Sequence, residues 1–420
     1  MTATFRNRNF SLLWLAGLVS LIGNWMLIAA LPFYVYELTD SALMTSGLLM
    51  AMILPGVLFS SVAGVFVDRW DRRRTMIIIN LLQMLVIPLL MLVQSVEMVW
   101  IVYVVAFIES SLSRFFMPAE SALLPTLVDE DQLIAANSLN ALNDNLARII
   151  GPAIGGALLG VLGFTAVIAA DAISYLLAAL LIMLLVVPAS VKQAVDSQSA
   201  AKAKEKFAQI WTELIAGLKI VRQSRILKNS FLVIGIALFG DAILSAVLVV
   251  FVQDDMGLTA VEFGWMMTAR GFGGLLGGLL IAQLGQRFTK AQLTAGGLLF
   301  SGLLILVMVS VPILEVALPL LVLAGIPLMA WIVSLQTILQ QATEDEYRGR
   351  VFGSFGTLSA LLMVFGTFIA GGMADLVGAL ILMTAAALVY IFSGILGWIL
   401  LHAPLEALDA TVQQAEVQPE

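Results

Sequence analysis

Apolar positions in this chain come in long unbroken runs separated by short polar connections. A hydrocarbon layer about 30 Å thick takes roughly 20 helical residues to cross. On that ruler the runs divide into twelve spans, near residues 10–37, 43–66, 75–95, 98–120, 136–160, 164–187, 228–252, 259–284, 291–311, 315–340, 350–373 and 378–401. Within a bilayer every backbone N–H and C=O must be paired inside the protein, so runs of this length predict helices. The expected fold class is an all-α membrane protein of twelve transmembrane helices. The longest polar stretch, about Pro188 to Arg225, begins rich in Ser, Gln and Ala. It then sets Phe207, Ile210, Trp211, Leu214, Leu218 and Val221 at helical spacing. This reads as an amphipathic helix on the membrane surface, with a plain solvated linker as the alternative.

The chain also repeats itself. A shift of 217 residues pairs Gly23 with Gly240, Gly47 with Gly264 and Gly56 with Gly273. A shift of 215 pairs Gly151 with Gly366, Gly156 with Gly371 and the acids 129–131 with Glu344-Asp345-Glu346. Leucine matches would mean little in so apolar a chain, whereas glycines and charged loops in register predict two six-helix halves. The expected organisation is a six-helix bundle over 1–187, a linker over 188–227, a second bundle over 228–402 and a polar tail over 403–420. Parallel halves around a central site are a transporter architecture, although a duplicated bundle without transport has the same signature.

Composition sharpens this picture. Hydrophobic residues make up 61% of the chain and charged residues 12%, against about 25% charged in soluble domains. Apolar runs continue to residue 401, unlike a cleaved signal peptide with its single run. The absence of cysteine and a lone histidine, His402, exclude thiol chemistry, histidine-built metal sites and catalytic triads. No cofactor, metal or nucleic-acid partner is expected. The basic residues cluster at Arg6 and Arg8, Arg69 to Arg74, Lys192 to Lys228, Arg287 and Lys290, and Arg348 and Arg350, all on one side of the membrane. Opposite loops carry no Lys or Arg, so both termini are expected in the cytoplasm of a multi-pass inner (plasma) membrane protein.

Residues 64–74 read GVFVDRWDRRR, combining a small residue, a helix-end carboxylate and a cationic cluster. Here the sequence resembles the signature between helices two and three of the major facilitator superfamily. The resemblance implies the major facilitator fold and a latch in which Gly64 lets helices touch and Asp68, with Arg69 and Arg72, joins a charge relay between the halves. The alternative is a basic loop that only sets topology. A closer resemblance, to the macrolide-efflux branch of the drug:proton antiporters and to siderophore exporters, runs through 67–77, 115–133, 136–159 and 347–358. The segment GPAIGG, with Gly151, Pro152, Gly155 and Gly156, resembles the antiporter signature of helix five, where such residues bend the helix and permit close packing; generic small-residue packing is the alternative. The sequence departs from the drug-efflux pattern at Asn24, where an acid is frequent, and at Glu109, where a neutral or basic residue is expected.

Ionisable residues inside a membrane are costly and mark function by default. They are Glu109 and Arg114 in the fourth span, Asp144 and Arg148 in the fifth, Asp171 in the sixth, Asp241 in the seventh and Arg270 in the eighth. Counting depth along the spans predicts a ladder of two opposite-charge pairs, Glu109 with Arg148 and Arg114 with Asp144, and a third pair of Asp241 with Arg270. Static salt bridges are the plain alternative. The run GFGGLLGG at 271–278 lacks the lysine of a phosphate loop and reads as helix packing. The aromatics Trp25, Phe33, Tyr34, Trp265 and Trp331, with Asn24, are candidate cavity-lining residues, against interface belts and lipid-facing packing.

The expectation is a secondary active transporter, not an enzyme: a monomer that exports a small amphipathic, drug- or macrolide-like molecule by alternating access and proton antiport. Without histidine in the membrane the proton carrier must be a carboxylate, with Glu109 and Asp241 first and Asp144 and Asp171 following. The rivals are an exporter of a siderophore or lysolipid on the same fold, a non-transporting receptor or assembly factor, and an intramembrane enzyme confined to carboxylate chemistry.

Overall fold

A computed structural model of the protein describes residues 4–67, 69–186 and 215–417, the side chains of 60–62, 65 and 402–417 excepted. Thirteen helices follow in order: α1 (Arg8–Thr39), α2 (Ala42–Val67), α3 (Arg72–Val86), α4 (Val99–Leu123), α5 (Leu133–Leu162), α6 (Phe164–Met183), α7 (215–223), α8 (Arg225–Val250), α9 (Ala260–Arg287), α10 (Lys290–Ser310), α11 (Leu314–Gln341), α12 (Asp345–Val377) and α13 (Ala379–Val417). All but α7 are long and apolar enough to cross a membrane, α3 together with the 3-10 turn that continues it to Leu92, which gives the twelve expected spans among the described residues. There is no strand among the described residues.

Helix ends depart from the apolar runs for local reasons. Asp71 caps α3 by accepting from the Arg74 amide at 2.8 Å. The same helix stops at Val86 and tightens into a 3-10 turn over Ile87–Leu92, because Pro88 has no amide hydrogen to continue it. Helix α12 begins at Asp345, five residues before the predicted span, with Asp345 and Glu346 in its first turn where the positive end of the helix dipole favours acids. Helix α13 runs on to Val417, through residues that the hydropathy pattern set aside as a polar tail.

Two compact units divide the chain, one of Met1–Phe207 with Gly257–Thr268 and one of Ala208–Met256 with Ala269–Glu420. In the first, α1 packs on α5 and α6, α2 on α4, and α3 on α4 and α6. In the second, α8 packs on α12 and α13, and α10 on α11 and α13. With α9 meeting α11 at Gly273 and Gly277, these are the same neighbours seven helices along. The repeat extends to single glycines. A Cβ on Gly151 would meet the Trp25 Cβ at 2.5 Å and the Ile22 oxygen at 2.9 Å, while one on Gly366 would meet the Ala242 Cβ at 2.7 Å and the Phe239 ring at 3.2 Å. Each pair of contacts is related by the shifts read from the sequence. Gly163 (φ 82°) and Gly378 (φ 86°), 215 residues apart, make the corresponding turns in the left-handed region that other residues avoid.

Of the linker's apolar face, Val221 is buried in the core of the second unit with Leu227, Phe231 and Val351, and Leu218 is exposed. A Cβ on Gly217 would touch Arg350 and Ser354 of α12. Phe207, Ile210, Trp211 and Leu214 lie outside the described residues.

Candidate functional site

The centre of the first unit holds a polar cluster built from four helices. Glu109 on α4 is 7% exposed. Its Oε1 accepts hydrogen bonds from Asn24 Nδ2 on α1 (2.8 Å), Tyr175 OH on α6 (2.8 Å), Gln83 Nε2 on α3 (3.1 Å) and Ser113 Oγ one turn along α4 (3.4 Å). The donors also bond to one another: Asn24 Nδ2 lies 3.2 Å and Gln83 Nε2 3.4 Å from Tyr175 OH, and Gln83 Nε2 lies 3.1 Å from Ser113 Oγ. Among the described residues every hydrogen-bond donor to Glu109 is neutral. Oε2 receives none of these bonds.

Asp171 lies one turn before Tyr175 on α6 and is fully buried. Ser174 Oγ donates to its Oδ1 at 3.3 Å, and its Oδ2 has no partner among the described residues. The room for it comes from α1, where a Cβ on Gly23 would sit 2.5 Å from Asp171 Oδ1 and 2.1 Å from Ser174 Oγ. Asp171 thus stands one turn from the tyrosine that bonds Glu109, and burying two negative charges near one another costs more than burying one.

The expected ladder does not form. Arg148 lies over the ring of Trp25, 5.0 Å from its centroid, and the donors that bond the Glu109 carboxyl are Asn24, Gln83, Ser113 and Tyr175. Arg114 turns toward α2, its Cζ 3.2 Å from where a Gly56 Cβ would be, and its Nε has no partner among the described residues. Asp144 is exposed and has the like charge of Glu120 in its vicinity; Glu120 itself accepts from Asn140 at 3.2 Å. Two physical reasons account for this. Glu109 and Arg114 are five residues apart, about 140° around a helix, so they cannot share a face. The main partners of α4 are α2 and α3, while α5 packs on α1. Depth along a helix could be counted from the sequence, but which neighbour each face meets could not.

The third pair does meet. In the second unit Arg270 Nη2 on α9 stands 3.9 Å from Asp241 Oδ1 on α8, an open approach for an ion pair, and Tyr390 OH on α13 donates to the same oxygen at 3.0 Å. These groups line a cavity of about 60 Å³ with Ser301 on α10, Ala324 and Gly325 on α11, and leucine, isoleucine and methionine side chains.

The helix-five residues form two contact faces. Gly151 and Gly155 admit α1, a Gly155 Cβ falling 2.6 Å from the Met26 oxygen; Gly156 and the carbonyl of Pro152 meet α9 at Ala260 and Gly264. In the α2–α3 loop, Asp68 is outside the described residues. A Cβ on Gly64 would meet no described atom within 4 Å. Arg69 has buried Nε and Nη2 atoms without a partner among the described residues. Arg72 donates to the Ala122 carbonyl at 2.7 Å, and Arg73 donates to the carbonyls of Ile182 and Met183. Arg72 and Arg73 therefore cap the carboxyl ends of α4 and α6, where cations complement the helix dipole.

Of the candidate aromatics, Phe33 is buried with its ring 5.9 Å from that of Phe263. Tyr34 stacks on Phe164 at 4.0 Å and donates to the Val93 carbonyl. Trp265 is exposed, and Trp331 is in the core of the second unit. Sequence reasoning overlooked Gln83, Ser113, Tyr175, Ser301 and Tyr390. The shift of 215 that relates Tyr175 to Tyr390, and the shift of 217 that relates Asn24 to Asp241, were the available signals.

Twelve membrane-crossing helices in two equivalent sets, each enclosing a polar cluster, agree with a transporter of the major facilitator fold. The chain belongs to the transmembrane secretion effector family of that superfamily, which residues 1–420 match along their whole length. It is similar to the macrolide efflux protein A of Streptococcus pyogenes, 27% identical over 377 residues covering 88% of this chain and 90% of that protein. It is likewise similar to the multidrug efflux pump Tap of Mycolicibacterium fortuitum, 27% identical over 372 residues covering 86% and 88%. Among solved structures, a bacterial homologue of the iron transporter ferroportin superposes with a TM-score of 0.71 at 15% identity, covering 93% of this chain and 98% of that one. That likeness concerns the fold.

Proposed function

We propose that the protein exports a small amphipathic molecule, macrolide- or drug-like, from the cytoplasm in exchange for protons, acting as a monomer with both termini in the cytoplasm. The observation that carries the coupling role is the setting of Glu109. A carboxyl in the interior of a bundle, met only by neutral donors, has no fixed cation to hold it permanently ionised. When charged it is supported by four donors on Oε1; when protonated it can carry the proton on Oε2 without displacing any of them. Such a group exchanges a proton at little structural cost, which is what an antiporter needs of its carrier. Asp171 is the reserve carrier in the same unit, and Asp241, compensated by Arg270, ranks below both. The macrolide and drug relatives support the substrate class. The loop at Gly64, Asp68 and Arg69 keeps its proposed part as a conformational latch.

The test is reconstitution of the wild type and Glu109→Gln into proteoliposomes with an imposed proton gradient and a macrolide such as erythromycin as probe. The wild type should accumulate the macrolide against its gradient and move protons on its addition. Glu109→Gln should still exchange the macrolide down a gradient yet fail to accumulate it, because the proton-linked step is missing. Undiminished accumulation by this variant would remove Glu109 as the carrier, and no macrolide-dependent flux in the wild type would remove the macrolide reading.

A further inference from the structure

The two units carry the same polar site with different fillings. In the first, Asn24 and Tyr175 reach the Glu109 carboxyl that α4 supplies. The shifts of 217 and 215 carry these two residues to Asp241 and Tyr390, which again touch, at 3.0 Å. They carry position 109 to 324–326, read Ala-Gly-Ile. Ala324 and Gly325 have no side chain able to reach Tyr390, and the cavity lies beside them. Where the first unit fills its site with its own carboxyl, the second leaves the space open.

The open site has hydrogen-bonding capacity to spare. Ser301 is 5% exposed and lines the cavity, yet its hydroxyl has no partner among the described residues. A buried hydroxyl without a partner is destabilising, a cost that a bound polar group removes. Both contacts to Asp241 fall on Oδ1, which leaves Oδ2 as an acceptor. The remaining N–H groups of Arg270 are donors. The carboxylate and guanidinium balance, so the cavity has no net charge to attract an ion; either a cationic or an anionic guest would confront a like charge. The rest of the wall is Leu244, Leu248, Ile305, Met308, Leu320 and Leu328 among others, suited to an apolar body.

We propose that this cavity is a binding subsite for a neutral hydroxyl- or amide-bearing head on an apolar chain, with Asp241 accepting from the head and Ser301 and Arg270 donating to it. The assignment deepens the exporter reading but does not need proton coupling, because binding at equilibrium tests it. Tritiated decanamide is incubated with the wild type in lipid nanodiscs, with empty nanodiscs as the baseline. Saturable binding is expected, displaced by decan-1-ol but not by decanoate or decylammonium. Two variants probe the site. Asp241→Asn with Arg270→Gln, neutralised together so that no lone charge remains, should weaken binding about tenfold, the loss of one good hydrogen bond or more. Ala324→Leu, which fills the space while keeping every polar group, should abolish saturable binding. No saturable binding to the wild type, equal displacement by all three heads, or full affinity in Ala324→Leu would each overturn the proposal. If the double variant does not elute as a single species, Ala324→Leu decides alone. Macrolide export without decanamide binding would leave the exporter reading standing and sink this one; decanamide binding without export would do the reverse.

Discussion

At the scale of single residues, Tyr175 repays the closest attention, because its hydroxyl joins the donors of α1 and α3 to the Glu109 carboxyl. Tyr175→Phe keeps the ring's packing and deletes that junction. The remaining donors on Oε1 persist, so the change should cost about 1–3 kcal/mol, the usual penalty for disturbing a buried hydrogen bond to a charged or polar group. Thermal unfolding in detergent should show a lower midpoint with unaltered helix content, and a midpoint equal to that of the wild type would mean that the hydroxyl contributes nothing. The sequence announced Glu109 as a buried acid but not its cage. Asn24, Gln83 and Ser113 are ordinary polar residues in apolar runs, and their significance lies in pointing at one oxygen.

At the scale of helices, small residues decide which pairs approach, and the glycines of the two motifs make opposite predictions. Gly155→Ala would drive a methyl into the backbone of Met26, with an oxygen 2.6 Å and a Cα 2.8 Å away. Backbone on both sides cannot give way as a side-chain tip can, so the variant should lose about 1–3 kcal/mol or fail to assemble. Gly64→Ala meets no described atom and should be neutral or stabilising by up to about 1 kcal/mol through helix propensity. Thermal midpoints of the two purified variants check both statements, and comparable losses in each would show that the motifs do not differ in packing. Since Gly64→Ala is expected to fold, its transport rate reports on the proposed latch without the confusion of misfolding. The arginines of that loop were legible as a topological signal, but the capping of α4 and α6 by Arg72 and Arg73 was not, because it depends on those helix ends arriving beside α3.

At the scale of the whole molecule, the proposed orientation rests on the one-sided placement of Lys and Arg. The chain has no cysteine, so single cysteines report without background. Cysteines at Asp40, Glu97 and Glu315 should react with an impermeant maleimide added to intact cells. Cysteines at Arg74 and Glu346, both exposed in the structure, should react only after the membrane is opened. Labelling of the Arg74 position in intact cells would invert the topology and with it the direction of transport proposed above.

The amino-acid sequence by itself determined the number of spans, the all-helical class and the duplication, because these follow from run length and from glycines and acids in register, both one-dimensional properties. It also placed Asp241 and Arg270 at the same depth correctly, since the rise per residue of a helix is constant. Which way a buried side chain faces, and which helix it finds there, was decided only by the tertiary structure. Counting along the spans sets Glu109 and Arg148 at one depth, but α4 packs on α2 and α3 while α5 packs on α1, so the carboxyl met neutral donors and the guanidinium met the ring of Trp25. The same holds for the cavity beside Asp241: its polar lining comes from α8, α9, α10 and α13, and the space arises because two small residues of α11 stand where the other half carries an acid.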